Sequence, residues 1–307
     1  MMIDALVILV AGLLITLLPR SRRYASFLTW RASRKAGGQV PPERLPALRE
    51  RAARRERATG VGILIAGVVW LLVSQFWPGW REQPGALYLV LSLLVVFSAA
   101  CLAVVEIVWP GDVSDGPRFA RATSPTFADY VAPQTRVVSG LFVGVSVVVL
   151  AGSLALAQSQ WFDAATLWRS PVPFLLAAVP VLALLFALAI KRVLDAPQPA
   201  RDQRELYWQD AIRAETLYTL AIPPAFVGAL SLLIAAASLD NAASATATAT
   251  GEIGPDWTGW LLFVGYVLPL LAIMAAAVAI ASAGGVMRQF NRRLWSTVAP
   301  ETGAEAN

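Results

Sequence analysis

Seven long apolar runs constrain what this chain can fold into more than any other feature. They cover residues 2–18, 60–77, 86–108, 137–157, 171–190, 217–238 and 257–283. A helix that crosses the hydrocarbon core of a bilayer needs about 20 consecutive apolar residues. The chain has only 15% charged residues, whereas soluble domains carry roughly 25%. The pattern predicts one all-α integral membrane domain, residues 1–307, with seven transmembrane helices.

The first run is the weakest of the seven, because it is short and begins near Asp4. Basic residues follow it at Arg20, Arg22 and Arg23, whereas a signal peptide carries its basic residues before the apolar stretch. No small-residue cleavage site accompanies the run. We therefore expect residues 2–18 to be a span whose N-terminus lies outside.

The basic residues predict the orientation of the spans. One alternate set of connecting segments carries almost all of them, with 12, three, five and three Arg or Lys in 19–59, 109–136, 191–216 and the tail after residue 284. The other set, 78–85, 158–170 and 239–256, holds only Arg81 and Arg169. Because cytoplasmic loops carry the excess of Lys and Arg, the sequence predicts a cytoplasmic C-terminus. The net charge of +5 is thereby explained by membrane orientation, and we expect no nucleic-acid partner.

A short polar motif occurs twice. The segment DGPRFAR at 115–121 aligns without a gap with DAPQPAR at 195–201, and the same offset carries the span 137–157 onto 217–237. Both copies follow a span that runs inward and precede one that returns. We therefore interpret spans three to six as a duplicated parallel helical hairpin, unlike the inverted repeats of many transporters. The candidate cytoplasmic interaction motif is Asp115, Pro117, Arg121, Asp195, Pro197 and Arg201.

A polar segment follows the second copy. Tyr207, Ala211, Ala214 and Tyr218 recur there at helical spacing among charged residues, which predicts a helix at the inner interface that turns into the sixth span. One interpretation is a plain connecting helix, solvated on one face. The other is a paired cytoplasmic docking surface for another protein.

Two further loops have distinct compositions. Loop 19–59 is strongly basic and predicts a helix from about Pro46. Its arginines would attract anionic lipid headgroups, although we expect the helix mainly to fix topology. The outer segment 239–256 is rich in Ala, Thr and Ser without apolar periodicity, so we expect a flexible, disordered loop.

Residue types limit the chemistry. Histidine is absent and Cys101 is the single cysteine, which excludes an intrachain disulfide and any zinc or haem site built on these residues. We expect no metal and no cofactor. Glu106 is the one carboxylate near a span interior, and its position close to Trp109 predicts an interfacial carboxylate in reach of water. This weakens a proton-coupled transporter, since no second titratable group stands inside to receive the proton.

Proline and small residues in the spans allow two further expectations. Pro173, Pro180, Pro223, Pro224 and Pro269 would kink or break their helices, and broken helices can line a substrate path. The pattern GLFVG at 140–144 and the alanines Ala275, Ala279 and Ala283 lie at the four-residue spacing that permits close helix approach. We expect both sets to pack within the bundle.

One segment is close to an enzyme signature. DVSDGPRFAR at 112–121 is similar to the start of the CDP-alcohol phosphotransferase pattern, D-x-x-D-G-x-x-A-R. Ala120 and Arg121 come one residue late, which turns them about 100° away on a helix. The partner expected four residues after Asp129 is replaced by Pro133. A lipid-head-group transferase using Asp112 and Asp115 is therefore the least favoured of three hypotheses.

The phrases RVLDAPQPARDQ, DAIRAE and FADYVAP resemble those of a group of uncharacterised multi-pass membrane proteins of high-GC Gram-positive bacteria, mainly over residues 100–240. The resemblance implies a bacterial plasma membrane and a partnership with an ABC-type export system or its regulator. It implies no catalytic residue. The leading hypothesis is a non-enzymatic membrane subunit or scaffold, followed by a transporter of an uncharged or lipid-like solute.

Overall fold

The chain folds into helices throughout the part that the computed structural model describes, residues 3–36, 45–77, 79, 85–109, 124–196, 200, 202–282 and 286–296. The helices are α1 Ile3–Leu17, α2 Arg22–Ala36, α3 Leu45–Phe76, α4 Ala86–Val108, α5 Phe127–Tyr130, α6 Pro133–Leu156, α7 Ala164–Arg169, α8 Val172–Asp195, α9 Gln203–Thr250, α10 Asp256–Ser282 and α11 Val286–Leu294. The predicted all-α class is confirmed.

Six helices in the described ranges, α3, α4, α6, α8, α9 and α10, are long and apolar enough to cross a membrane. The first predicted span differs from these. With 15 residues, α1 is about 22 Å long, shorter than the roughly 30 Å hydrocarbon core. It continues through the turn Leu18–Arg20 into α2 with a bend of 90°. The seventh span therefore stays a prediction, as does the orientation of the bundle.

Glycines let α3 lie very close to both of its neighbours. A Cβ at Gly60 would stand 2.6 Å from the backbone nitrogen of Thr16 on α1. A Cβ at Gly62 would stand 2.5 Å from the carbonyl oxygen of Phe97 on α4. By contrast, a Cβ added at Gly140 or Gly144 of α6 would have no atom within 4 Å. The prediction that they pack within the bundle is wrong, because small-residue spacing does not tell which face of a helix meets a neighbour.

The centre of the bundle is α9, a helix of 48 residues. Its apolar window is 72% buried, whereas no other spanning window exceeds 28%, and it packs against α4, α6, α8 and α10. It continues through Pro223 and Pro224 without a break. The Ser139 hydroxyl on α6 donates to the Ala221 carbonyl oxygen at 2.9 Å, so a neighbouring helix supplies a hydrogen bond beside the prolines.

Two other spanning helices also contain proline without interruption. Pro180 lies inside α8 and Pro269 inside α10, while Pro173 occupies the first turn of α8, where its missing N–H costs no helical hydrogen bond. The expectation that these prolines break the spans is wrong.

The first turns of α9 correct the predicted interfacial helix. Instead of a separate helix before the sixth span, α9 is one continuous helix from Gln203. Tyr207, Ala211 and Ala214 are only 8%, 2% and 0% exposed, because helices outside the spans pack around them. The face that carries these residues is therefore buried against other helices, and the docking interpretation stays a prediction.

The last turns of α9 correct the expected disordered loop. The helix includes residues 239–250 and ends at Gly251, whose φ of 74° is left-handed. Alanine is the strongest helix former, and the hydroxyls of Thr246, Thr248 and Thr250 donate to carbonyl oxygens four residues earlier. Residues 239–250 are therefore helical because of their own helix propensity, although they lack the apolar periodicity of a packed helix.

The helices at the two copies of the predicted repeat are unequal. The first copy leads into α6, with 24 residues, and the second into α9, with 48. The two helices pack against each other. Tyr130 and Asp210, which stand one repeat offset apart, form a hydrogen bond with each other. The duplication stays a prediction.

Candidate functional site at the arginine-rich end

One end of the bundle, here called the arginine-rich end, gathers polar contacts between segments that are distant in sequence. It consists of α2, residues 45–59 of α3, α5, residues 203–216 of α9, and α11. Lys35 on α2 donates to Glu215 on α9, and Gln289 on α11 donates to the carbonyl oxygen of Ala128 on α5. These segments come from all four of the loops predicted to be cytoplasmic. The compartment that this end faces stays a prediction.

A buried ion-pair network centres on Glu106, near the C-terminal end of α4. The carboxylate is 5% exposed and accepts hydrogen bonds from Arg51 at 2.6 Å and from Arg55 at 2.8 Å. Arg51 and Arg55 stand four residues apart on α3, so both reach the same side of that helix. The interpretation of Glu106 as a carboxylate in reach of water is wrong, because two arginines of α3 cover it.

Arg55 extends the network to the central helix. Its guanidinium donates to the Thr216 hydroxyl at 2.7 Å and lies 3.5 Å from the Glu215 carboxylate. Glu215 also pairs with Lys35 on α2 at 2.8 Å. One set of charged side chains thus connects α2, α3, α4 and α9.

The physical role of this network follows from burial. Removing a charge from water is costly, and a buried ion pair offsets that cost only when geometry and additional hydrogen bonds are good. Here one carboxylate receives two guanidinium groups, and Arg55 has three partners. Loss of Glu106 would leave Arg51 without its carboxylate partner and remove one of the partners of Arg55. The network therefore fixes the arrangement of four helices more than it adds net stability.

A cavity of about 230 Å³ lies beside the network, between α2, α3 and α9, with α4 also contributing to its wall. The charged side chains that line it are Arg31, Lys35, Arg51, Arg55, Glu56 and Glu215. Glu56 accepts a hydrogen bond of 3.2 Å from the Tyr24 hydroxyl. The lining therefore contains four cations against two carboxylates, and both carboxylates already have partners.

A second polar cluster ties the shorter helices of this end to α9. Asp210 is fully buried and accepts hydrogen bonds from the Tyr130 hydroxyl at 2.8 Å and from the Trp295 indole nitrogen at 3.0 Å. Tyr207 packs against Phe290 and Trp295, with ring centroids 5.6 and 5.2 Å apart, and donates to the Ala36 carbonyl oxygen. These contacts hold α5, α11 and the end of α2 against α9.

The predicted interaction motif lies largely outside the described residues. This applies to Asp115, Pro117, Arg121, Pro197 and Arg201. Asp195 is the exception: it is the last residue of α8 and is exposed. Asp112, proposed for the transferase hypothesis, also lies outside the described ranges.

The ion-pair network is not predicted from the sequence, although part of the signal is present there. Glu106 is the one carboxylate near a span interior, and such a group requires a partner. The i, i+4 pair Arg51 and Arg55 stands at the start of the preceding span, on the same predicted side. What the sequence does not give is which of the many arginines of loop 19–59 faces α4.

Within the described part of the chain, no group of three or more Cys, Asp or Glu side chains is placed to hold a metal ion. Comparisons with known proteins add no assignment, since neither a family model, nor a curated protein, nor a solved structure matches the chain.

Proposed function

We propose that this protein is a non-enzymatic scaffold subunit of a bacterial plasma-membrane complex, whose arginine-rich end presents a cytoplasmic surface to a protein partner. The observation that carries the proposal is that noncovalent polar contacts join the helices of this end to one another. Segments from four separate loops are joined there by buried ion pairs and hydrogen bonds rather than left as independent connections.

A rigid end of this kind is better suited to binding a partner than to a conformational change. A surface whose side chains and helices are already fixed loses less conformational entropy when a partner binds. Glu106 joins α3 to α4, and Asp210 joins α5 and Trp295, which follows α11, to α9. The exposed Asp195 begins the second copy of the polar motif at the edge of the same end.

The transporter hypothesis has less support. It was motivated by helices broken at proline, and α8, α9 and α10 each continue through their internal prolines. A solute path would need another feature to support it.

Site-specific cross-linking tests the proposal. A photoreactive amino acid replaces Asp195 at the arginine-rich end and, as matched control, the exposed Glu252 at the opposite end. We expect a defined protein adduct from position 195 in intact cells and none from position 252. The adduct should disappear when Arg121 and Arg201 are replaced by alanine and should persist in Arg169→Ala, which changes an exposed arginine at the opposite end.

Three results would contradict the scaffold role. They are the absence of a protein adduct from position 195, the same adduct from both positions, and an adduct that survives the Arg121 and Arg201 substitutions unchanged.

A further inference from the structure

We infer that the cavity between α2, α3 and α9 binds the phosphate of an anionic phospholipid headgroup. This goes beyond the scaffold role and does not depend on it, since the ligand is a membrane lipid and the residues differ from the proposed docking motif. The argument rests on the charge of the lining, an unsatisfied donor, the exposed face of α2 and the size of the space.

The charge of the lining favours an anion. Arg31 lines the cavity and forms no ion pair within 4 Å with a carboxylate of the described ranges, although its charge acts on Glu215 from a longer distance. Glu56 and Glu215 are engaged by Tyr24, Lys35 and Arg55. At least one guanidinium group is thus free to form a charge-assisted hydrogen bond with a ligand, and guanidinium matches phosphate in geometry.

A buried donor beside the same space lacks a partner. Arg51 lines the cavity, and its Nη2 donates a hydrogen bond to Glu106. Its buried Nε has no hydrogen-bond partner in the described part of the chain. Buried polar atoms in native proteins are rarely left unsatisfied. A phosphate oxygen in the cavity would provide an acceptor close to this side chain.

The exposed face of α2 identifies a lipid as the source of the phosphate. Phe27 and Trp30 are 48% and 50% exposed on that helix and stack with ring centroids 5.8 Å apart, while Arg34 lies over the Trp30 ring at 5.1 Å. Aromatic side chains with neighbouring cations are typical of helices at the membrane interface. The 90° bend after α1 brings α2 against residues 48–59 of α3, at the end of the apolar part of that helix.

The size of the cavity limits what enters it. At about 230 Å³ it is smaller than the roughly 300–1,000 Å³ of ordinary small-molecule sites. A headgroup phosphate fits such a space while the acyl chains stay in the bilayer. A zwitterionic headgroup would bring its own cation towards Arg31 and Lys35, so an anionic headgroup is preferred.

Lipid retention measured by native mass spectrometry tests the inference. The full-length protein is released from nanodiscs that contain equal amounts of phosphatidylglycerol and phosphatidylcholine. We expect one phosphatidylglycerol to remain bound in preference to phosphatidylcholine. Arg31→Gln should weaken its retention about tenfold, the effect of losing one hydrogen bond to a charged group, and Arg31→Lys should give an intermediate value.

The matched control is Arg23→Gln, which changes an exposed cation on the same helix that does not line the cavity. It should retain phosphatidylglycerol as the wild type does. Both variants are expected to keep the wild-type melting temperature, because both side chains are exposed.

Three outcomes would overturn the inference. Equal retention of the two lipids would show that the protein has no preference for an anionic headgroup. Equal losses in Arg31→Gln and Arg23→Gln would show that the surface charge of α2, and not the cavity, retains the lipid. Displacement of the bound lipid by millimolar inorganic phosphate would identify a soluble phosphate as the ligand.

Discussion

The two ends of the helical bundle are held together by different physical means. At the arginine-rich end, buried charges such as Glu106 and Asp210 connect helices that are far apart in sequence. At the opposite end, an apolar cluster joins α7 to α9 through Phe162, Leu167 and Leu239. There the polar contacts are mostly local, such as the carboxylate of Asp163 at the start of α7.

This difference predicts unequal tolerance to substitution. A buried charge that loses its partner remains charged in the interior, whereas an exposed cap that is lost is replaced by water. The arginine-rich end therefore depends on specific side chains, and the opposite end depends mainly on apolar burial. The four substitutions below probe this comparison in order of decreasing effect.

Glu106→Gln should have the largest effect. The amide keeps the shape of the side chain but leaves Arg51 and Arg55 without their shared carboxylate, at a cost of about 3–5 kcal/mol in the free energy of unfolding. Thermal unfolding in detergent, followed by tryptophan fluorescence, measures the loss. Glu252→Gln, an exposed change at the opposite end, serves as the control. Equal melting temperatures for the two variants would show that the buried pairs do not hold this end together.

Gly62→Ala tests the spacing of α3 and α4 on which the same ion pairs depend. The new methyl group would meet the α4 backbone at 2.5 Å, and relief of such overpacking costs about 1–3 kcal/mol. Gly140→Ala is the control, since its added methyl group meets open space. That variant should unfold at the wild-type temperature or slightly above it, because glycine is unfavourable inside a helix. If both variants behave alike, α3 and α4 are not in the close contact described above.

Asp210→Asn tests the second buried cluster. The amide keeps one acceptor oxygen for the Trp295 N–H but carries an NH2 donor in place of the second oxygen. The Tyr130 hydroxyl can then no longer donate there and must turn to accept, and we expect this mismatch to cost about 1–3 kcal/mol. Asp195→Asn changes an exposed carboxylate of the same end and should be neutral. Differential scanning calorimetry of the two variants measures the contrast. A neutral Asp210→Asn would mean that the hydrogen bonds from Tyr130 and Trp295 to Asp210 contribute little to holding α5 and α11 against α9.

Asp163→Ala at the opposite end should have the smallest effect. Hydrogen bonds from the Thr166 side chain and from backbone N–H groups lower the pKa of Asp163 below its ordinary value. Because the folded-state pKa is lowered, the stabilisation is complete above the ordinary value of about 3.9 and is lost as the pH falls through the folded-state pKa. Melting temperatures of wild type and variant should therefore differ slightly at pH 7 and converge in acid. A gap that widens on acidification would contradict this sign.

The sequence predicts the framework of this fold well, because apolar runs report directly on bilayer-length helices. It predicts the extent of α9 poorly. The polar turns around Tyr207 and Asp210 are buried by α2, α5 and α11, and sequence periodicity in one helix does not reveal what surrounds it. The helix beyond Leu239 depends on the high helix propensity of alanine. The low-complexity composition of the same segment predicts a disordered loop.

The candidate site was predictable only in part. The arginines of loop 19–59 and the isolated Glu106 stand out in the sequence. Which arginines pair with Glu106 depends on how α3 is rotated relative to α4. The close contact at Gly62 sets this rotation, and no sequence pattern within either helix predicts it. The polar repeat, by contrast, is visible only in the sequence, and its interaction role stays a prediction.

The proposed function requires that the arginine-rich end faces the cytoplasm, where a protein partner would bind it. Single cysteines introduced at Arg204 and at Glu252, both exposed and at opposite ends, in a Cys101→Ala background, test it most directly. With a membrane-impermeant maleimide applied to intact cells, the cysteine at 252 should react, and the cysteine at 204 should react only after permeabilisation. Labelling of position 204 from outside intact cells would contradict the orientation and, with it, the proposed function.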